Sequence, residues 1–226
     1  MDTPQMPTEM PKLDDPRFFP VFEALPIKYK VNLAYHGTND GRVYRPRAHW
    51  CFLGEIVQHS FFLRLSILVR DGNGKSIPIT FYTSEHGSSL VRNGEVKIGY
   101  TAAVLYAEQH GFVDSTVGIC QQALQTIKVF PVSMDGLMQL SDRLQKYATV
   151  DKDETTCHNC QRKAASLLRC AKCNLFSYCN KDCQVEAWHH KGHKADCKLL
   201  KDADFRSLLL LQWDCFQDFH QFSPRT

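Results

Sequence analysis

The chain has 226 residues, 43% of them hydrophobic and 23% charged, with a formal charge of +3. That length supports one ordinary domain with a smaller satellite, and the balance excludes a charged disordered tail or a fibrous repeat. The longest aliphatic run is Leu208 to Leu211, far from the roughly 20 apolar residues that span a bilayer, and residues 1–20 lack the apolar centre of a secretory signal. An intracellular protein of nucleus or cytoplasm, without membrane association, is expected.

Residues 1–20 carry Pro4, Pro7, Pro11, Pro16 and Pro20 and predict an extended, proline-rich leader. Residues 21–150 then read as strands separated by turns. Ile27 to Tyr35 is the first candidate strand, followed by the turn signal Asn39-Asp40-Gly41. Trp50 to Val57 and Phe61 to Val69 form a long apolar stretch, read as one bent strand. Asp71-Gly72-Asn73-Gly74 supplies a hairpin turn into Ile77 to Tyr82. A short helix is expected within Ser84 to Val91, a strand from Val96 to Tyr106, and a last strand within Val117 to Phe130. Five strands with a helix between the third and fourth predict a small antiparallel β-barrel of OB-like type. A helix follows from Ser133, whose hydroxyl can cap the first turn, with Leu137, Leu140, Leu144 and Tyr147 as its apolar stripe. The polar stretch Asp151 to Thr156 marks the domain boundary. The overall fold class is α+β.

The ten cysteines are unevenly placed: Cys51 and Cys120 stand alone, seven lie between Cys157 and Cys197, and Cys215 follows. In a reducing compartment a cluster of this kind reads as thiolate metal ligands, while the three isolated cysteines read as small buried hydrophobes. The pattern is Cys157-x2-Cys160, Cys170-x2-Cys173, Cys179-x3-Cys183 and His193-x3-Cys197. Eight donors in four pairs are what two tetrahedral Zn²⁺ sites require. The x2 pairs suit knuckle turns, and the x3 pairs suit donors one helical turn apart. His193 is preferred over His189 and His190 because it stands one turn before Cys197; His158 has no such spacing and is expected at the surface. Sequential pairing of the four and interleaved pairing both satisfy the count. Aliphatic and aromatic residues are few between Cys157 and Cys197, so metal binding is expected to be folding for this segment. Seven thiolates and two divalent ions would bring the charge of +3 to about zero. Sustained attraction to nucleic acid is therefore not expected.

The segments CHNC, CAKC, YCNKDCQ, the following tryptophan and HKADC closely resemble the MYND zinc finger, over residues 157–197. The resemblance implies a cross-braced, two-zinc interaction module with interleaved pairing. Cys157, Cys160, Cys179 and Cys183 would then hold the first zinc, and Cys170, Cys173, His193 and Cys197 the second. It also implies a groove beside the second helix for short peptides of the kind Pro-x-Leu-x-Pro, with Gln184 and Trp188 as its contributors. Ala171 stands where some peptide-binding members have serine. Outside the finger, RPRAHWCFLGEI, LYAEQHGFVD and WDCFQDF are similar to segments of fungal MYND-type proteins with a β-rich N-terminal region, a resemblance that implies no activity. Residues 198–226 form an apolar C-terminal segment, expected to pack between domains.

A zinc-dependent adapter that binds a protein partner through a proline-containing motif is the expected function. MYND fingers also occur in SET-domain methyltransferases, but the Asn-His-Ser/Cys segment that binds S-adenosylmethionine is absent. Eight ligands for two ions leave no open coordination position, and His36, His49, His59, His86 and His110 form no H-E-x-x-H set. No enzymatic activity is expected. The alternative is single-stranded nucleic-acid binding by the barrel, through Arg42, Arg45 and Arg47 beside Tyr44 and Trp50, with the finger recruiting a partner.

Overall fold

A computed structural model describes residues 10–38, 40–148 and 154–224. The chain divides into two units. One comprises Leu13–Leu137 and Gln212–Thr226; the other comprises Met1–Lys12 and Met138–Leu211. No helix among the described residues is long and apolar enough to cross a membrane.

In the first unit, β1 (His36–Gly37) and β2 (Arg45–Pro46) form a short antiparallel pair. The main sheet is built from β3 (Cys51–Phe61), β4 (Leu65–Arg70) and β5 (Ser76–Phe81), an antiparallel meander. Period-two patterning explains why these are strands: Leu65, Ile67 and Val69 of β4 and Ile77, Ile79 and Phe81 of β5 are all buried, while their neighbours are not. The expected hairpin turn forms at residues 71–74, where Asp71 Oδ1 accepts from the amides of Asn73 and Lys75 and Gly74 takes φ +80°. The apolar stretch from Trp50 to Val69 is two strands, not one bent strand. β3 turns back through residues 62–64, with a register shift between Ile56 and Gln58.

After α1 (Ser88–Arg92) come β6 (Thr101–Leu105), β7 (His110–Gly111), β8 (Val117–Gln121) and β9 (Ile127–Phe130). The order across the seven-stranded sheet is β7-β8-β5-β4-β3-β6-β9. β5 and β8 run parallel; the other neighbours are antiparallel. Among the described residues no sheet closes into a barrel, which corrects the expected closure. The stretch read as one last strand, Val117 to Phe130, is two. β8 pairs with β5 and β7, while β9 pairs along β6, so the two edge strands of the sheet are β7 and β9, and among the described residues they do not pair with each other. Tyr106, with φ +55°, ends β6.

Two other expectations fail locally. Ile27 to Tyr35 is a series of turns, not a strand. Asn32 Oδ1 accepts from the Ala34 amide, its carbonyl from Tyr35 and His36, and Tyr29 takes φ +64°. Of the leader, residues 1–9 lie outside the described residues. From residue 10 on it is folded rather than extended, with Phe18 and Phe19 amides turning onto the Asp15 carbonyl and Leu13 and Phe19 buried.

The C-terminal aromatic residues belong to the same unit from Gln212 onward. Trp213 is buried 4.6 Å from the Phe19 ring, and Phe222 is buried 6.3 Å from Phe130.

α2 (Met134–Tyr147) begins as expected, with Ser133 Oγ accepting from the Gly136 amide. The division between units falls within it, between Leu137 and Met138. Residues 149–153, which include the start of the stretch read as a boundary, lie outside the described residues.

The second unit contains two small hairpins, β10 (Thr155–Thr156) with β11 (Lys163–Ala164) and β12 (Leu168–Arg169) with β13 (Ser177–Tyr178). Three helices follow: α3 (Lys181–His190), α4 (His193–Leu200) and α5 (Ala203–Leu210). Segment 157–197 is poor in apolar residues, and the unit adds buried Leu140 and Leu144 from α2, Leu199 and Leu200 from α4, and Phe205, Leu208 and Leu209 from α5.

Candidate metal centres and the groove beside α3

Each x2 cysteine pair sits in a turn of the same construction. Cys157 donates its amide to the Arg162 carbonyl, and its own carbonyl accepts from Gln161, which takes φ +64°. Cys170 donates to Phe176, and its carbonyl accepts from Asn174 at φ +56°. The left-handed residue four places after the first cysteine curls the chain so that both sulfurs point to one spot.

The x3 pairs differ from each other. His193 and Cys197 both lie in α4, one turn apart. Cys179, however, precedes α3: Asn180 is the helix cap, its side chain accepting from the Cys183 amide at 2.9 Å, and only Cys183 lies in the helix. The expectation of both donors on a helix therefore holds for one pair and not the other. Asn180 outcompetes continuation of the helix towards Cys179.

The eight donors gather into two clusters, Cys157, Cys160, Cys179 and Cys183 in one and Cys170, Cys173, His193 and Cys197 in the other. The pairing is interleaved. Within each cluster all ligand atoms lie within 4.8 Å of one another. Cys160 and Cys179 Sγ are 3.4 Å apart, Cys170 and Cys197 Sγ 4.0 Å, and Cys173 Sγ to His193 Nε2 4.0 Å. A tetrahedral ion with metal–sulfur bonds of about 2.3 Å sets its sulfurs about 3.8 Å apart, so both clusters have the dimensions to hold one.

The electrostatics point the same way. Burial resists ionisation of Cys157, but the amides of Cys160, Cys179 and Asn159 outweigh it and bring the thiol down to about 7. In the second cluster burial pushes Cys197 up to about 12 and raises Cys173. Burial also lowers His193 to about 4, which leaves its imidazole neutral and able to ligate. Its Nδ1 is buried with no hydrogen-bond partner among the described residues. Crowded sulfurs that cannot all ionise together, with the neutral His193 Nε2 beside them, fit a divalent cation as the missing charge.

Several neighbouring residues are placed differently from expectation. His158 is buried, not exposed: its ring stacks on Phe176 at 4.4 Å and 17°, and burial lowers it to about 4. Its knuckle position turns it inward onto the aromatic pair Phe176 and Tyr178. His189 and His190 are exposed at the end of α3. Cys51 is fully buried and Cys120 half-buried, both raised by burial. Cys215 is exposed, contrary to the reading of it as a buried hydrophobe.

Beside the second cluster lies a groove of about 260 Å³ lined by Cys170, Ala171, Lys172, Lys181, Gln184, Val185, Trp188 and His189. Gln184 and Trp188 thus line one surface, both half-buried. Trp188 also leans on the site, its ring 5.6 Å from that of His193. Lys172 and Lys181 were not singled out from the sequence, and Val185, one of the few apolar residues of the segment and a candidate for its core, is exposed. The spacing of Lys181, Gln184, Val185 and Trp188, three, four and seven residues along α3, is the helical stripe that could have found Lys181 and Val185; Lys172, in the second knuckle turn, carried no such signal. The arginine-aromatic patch of the first unit is not assembled as expected. Trp50 is buried, and its indole Nε1 donates to the Ala107 carbonyl, leaving Tyr44 as the exposed aromatic beside Arg42, Arg45 and Arg47.

Residues 157–197 match the family model of the MYND finger. SET domain-containing protein 14 of Caenorhabditis elegans is 37% identical over 51 residues, 23% of this chain and 11% of that protein. Histone-lysine N-methyltransferase SMYD1 of Homo sapiens is 38% identical over 45 residues, 20% of this chain and 9% of that protein. The chain thus spans about a tenth of the length of these relatives. Among solved structures, the S. pombe Stn1-ten1 complex is similar at 16% identity over 55% of this chain and 96% of that one, with a TM-score of 0.33. A Replication Protein A heterotrimer bound to ssDNA is similar at 12% identity over 43% and 68%, with a TM-score of 0.28. Likenesses this distant carry no functional weight.

Proposed function

With a MYND finger at residues 157–197 as the premise, we propose that the chain is a zinc-dependent interaction adapter whose finger captures a short proline-containing peptide, of the Pro-x-Leu-x-Pro kind, beside α3. The observation that carries this reading is the groove on which Gln184, Val185 and Trp188 of one helical stripe converge against the second metal cluster. Gln184 can hydrogen-bond the peptide backbone while Trp188 and Val185 give proline or leucine an apolar wall. At about 260 Å³ the groove lies below the roughly 300–1,000 Å³ of sites that enclose a small molecule. It suits one or two side chains of a peptide passing across it. Each cluster supplies four donors, the full tetrahedral set for zinc, so both ions have a structural role and neither activates water. On this reading the chain is not an enzyme.

Titration of the zinc-loaded protein with a Pro-x-Leu-x-Pro peptide tests the reading. Binding should weaken about tenfold or more in a Gln184→Ala/Trp188→Ala variant that keeps its zinc. Equal affinity of the variant and the parent would refute it. Equal loss of zinc and of binding would assign Trp188 to the finger's core.

A second reading, single-stranded nucleic-acid binding by the OB-like, β-rich unit, is favoured by one specific feature. Phe62 stands 90% exposed at the β3–β4 turn. Nearby in sequence, the Arg64 guanidinium lies 3.9 Å over the Tyr82 ring, which stacks in turn on Phe112 at 6.3 Å and 16°. Exposed rings with an arginine cover are the elements that stack unpaired bases. Titration with single-stranded DNA at physiological salt separates the readings, since affinity weaker than about 0.1 mM would be no better than nonspecific contact.

A further inference from the structure

We infer that the peptide captured beside α3 carries acidic residues next to its proline or leucine anchor, and that Lys172 and Lys181 receive them. This rests on the peptide-binding reading above and narrows its partner class. Two lysines stand among the groove residues and no carboxylate does. Both lysines are exposed, and among the described residues neither forms an ion pair. Lys172 Nζ lies 5.3 Å from the centroid of the Trp188 ring, so an ammonium is already held over the wall that an apolar anchor would cover.

An anchor seated on Trp188 would strip water from that ammonium. A carboxylate one or two residues away along the peptide offsets the loss, whereas a lysine or arginine there adds to it. The acidic residues of α3 do not fill this role. Asp182 and Glu186 fall one and five residues after Lys181, off the stripe formed by Lys181, Gln184, Val185 and Trp188, and neither lines the groove.

The test uses the full zinc-loaded chain and three labelled peptides with one Pro-Ala-Leu-Ala-Pro core. The two residues on either side of the core are glutamate, glutamine or lysine. Fluorescence anisotropy at low salt should rank glutamate above glutamine above lysine, by about threefold to tenfold per step. The differences should collapse at about 0.5 M salt, where surface charges are screened. A Lys172→Gln/Lys181→Gln variant should bind all three peptides alike, and Lys172→Glu/Lys181→Glu should reverse the ranking, both with unchanged zinc content. Equal affinities for the three peptides, or a ranking untouched in the lysine variants, would overturn the inference while leaving the groove as a peptide site. Failure of all three to bind, the glutamine peptide included, would overturn the peptide reading itself and the inference with it.

Discussion

Cys173 and His193 are both fully buried and face each other across 4.0 Å, so water cannot take the place of either donor without disturbing its surroundings. Cys173→Ser should therefore cost the ion and the ordered finger together, because three donors hold zinc too weakly to organise a segment that depends on it. Zinc content per chain and near-ultraviolet circular dichroism should fall in parallel; unchanged stoichiometry would contradict the role given to Cys173. The donors were legible in the sequence because ligation demands sulfur or imidazole at turn spacings, and few other constraints produce four such pairs. Interleaving could not be read from the spacings, which fit either pairing, and came only with the resemblance. The groove lysines were hidden for a different reason. Surface lysines are common; only the helical register of α3 sets Lys181 apart, and only the fold brings Lys172, in the second knuckle, beside Trp188.

Pairings between elements make the next set of forces. Arg143 on α2 reaches Asp196 on α4 with two hydrogen bonds of 2.8 and 2.7 Å, and the carboxylate is 6% exposed. Removing the guanidinium strands a buried charge. Arg143→Ala should destabilise this unit by about 2 kcal/mol, below the usual cost of a fully buried pair because the Arg143 side chain keeps some contact with water. Urea denaturation followed by a probe in the finger measures this, and a loss under about 0.5 kcal/mol would show that the pair is only a surface contact. In the sheet, Gly118 of β8 passes so close to β5 that a Cβ would strike the Pro78 carbonyl oxygen and lie 2.7 Å from Pro78 Cγ. Gly118→Ala should cost about 1–3 kcal/mol by forcing β8 away from β5; an unchanged melting temperature would mean that the parallel pairing tolerates displacement. Turns with a side-chain acceptor, such as Asp71 in residues 71–74, could be read ahead of the structure. Residues 27–35 could not, since Asn32 diverts an apolar, strand-like sequence into turns through bonds that hydropathy does not register. The two strands within residues 117–130 were likewise merged. What divides them is the choice of two different sheet edges, a tertiary outcome.

At the scale of the whole chain, the two units owe their order to different sources. The sheet-rich unit buries an extensive apolar core that includes Phe52, Ile56, Ile67, Ile79 and Phe81, enough to stand on hydrophobic burial. The other unit holds one fully buried metal cluster and one that reaches the surface, and adds apolar residues from α2, α4 and α5. The OB-like barrel expected from strand count captured the helix after its third strand, but it merged the first hairpin of the meander into one strand and closed a sheet whose edge strands, β7 and β9, do not pair among the described residues. The central claim is that two closed metal sites form the skeleton of residues 157–197. Elemental analysis of purified protein is its most direct test. Two zinc ions per chain are expected, both released together with the finger's structure on chelation; one ion or none in a folded finger would contradict this.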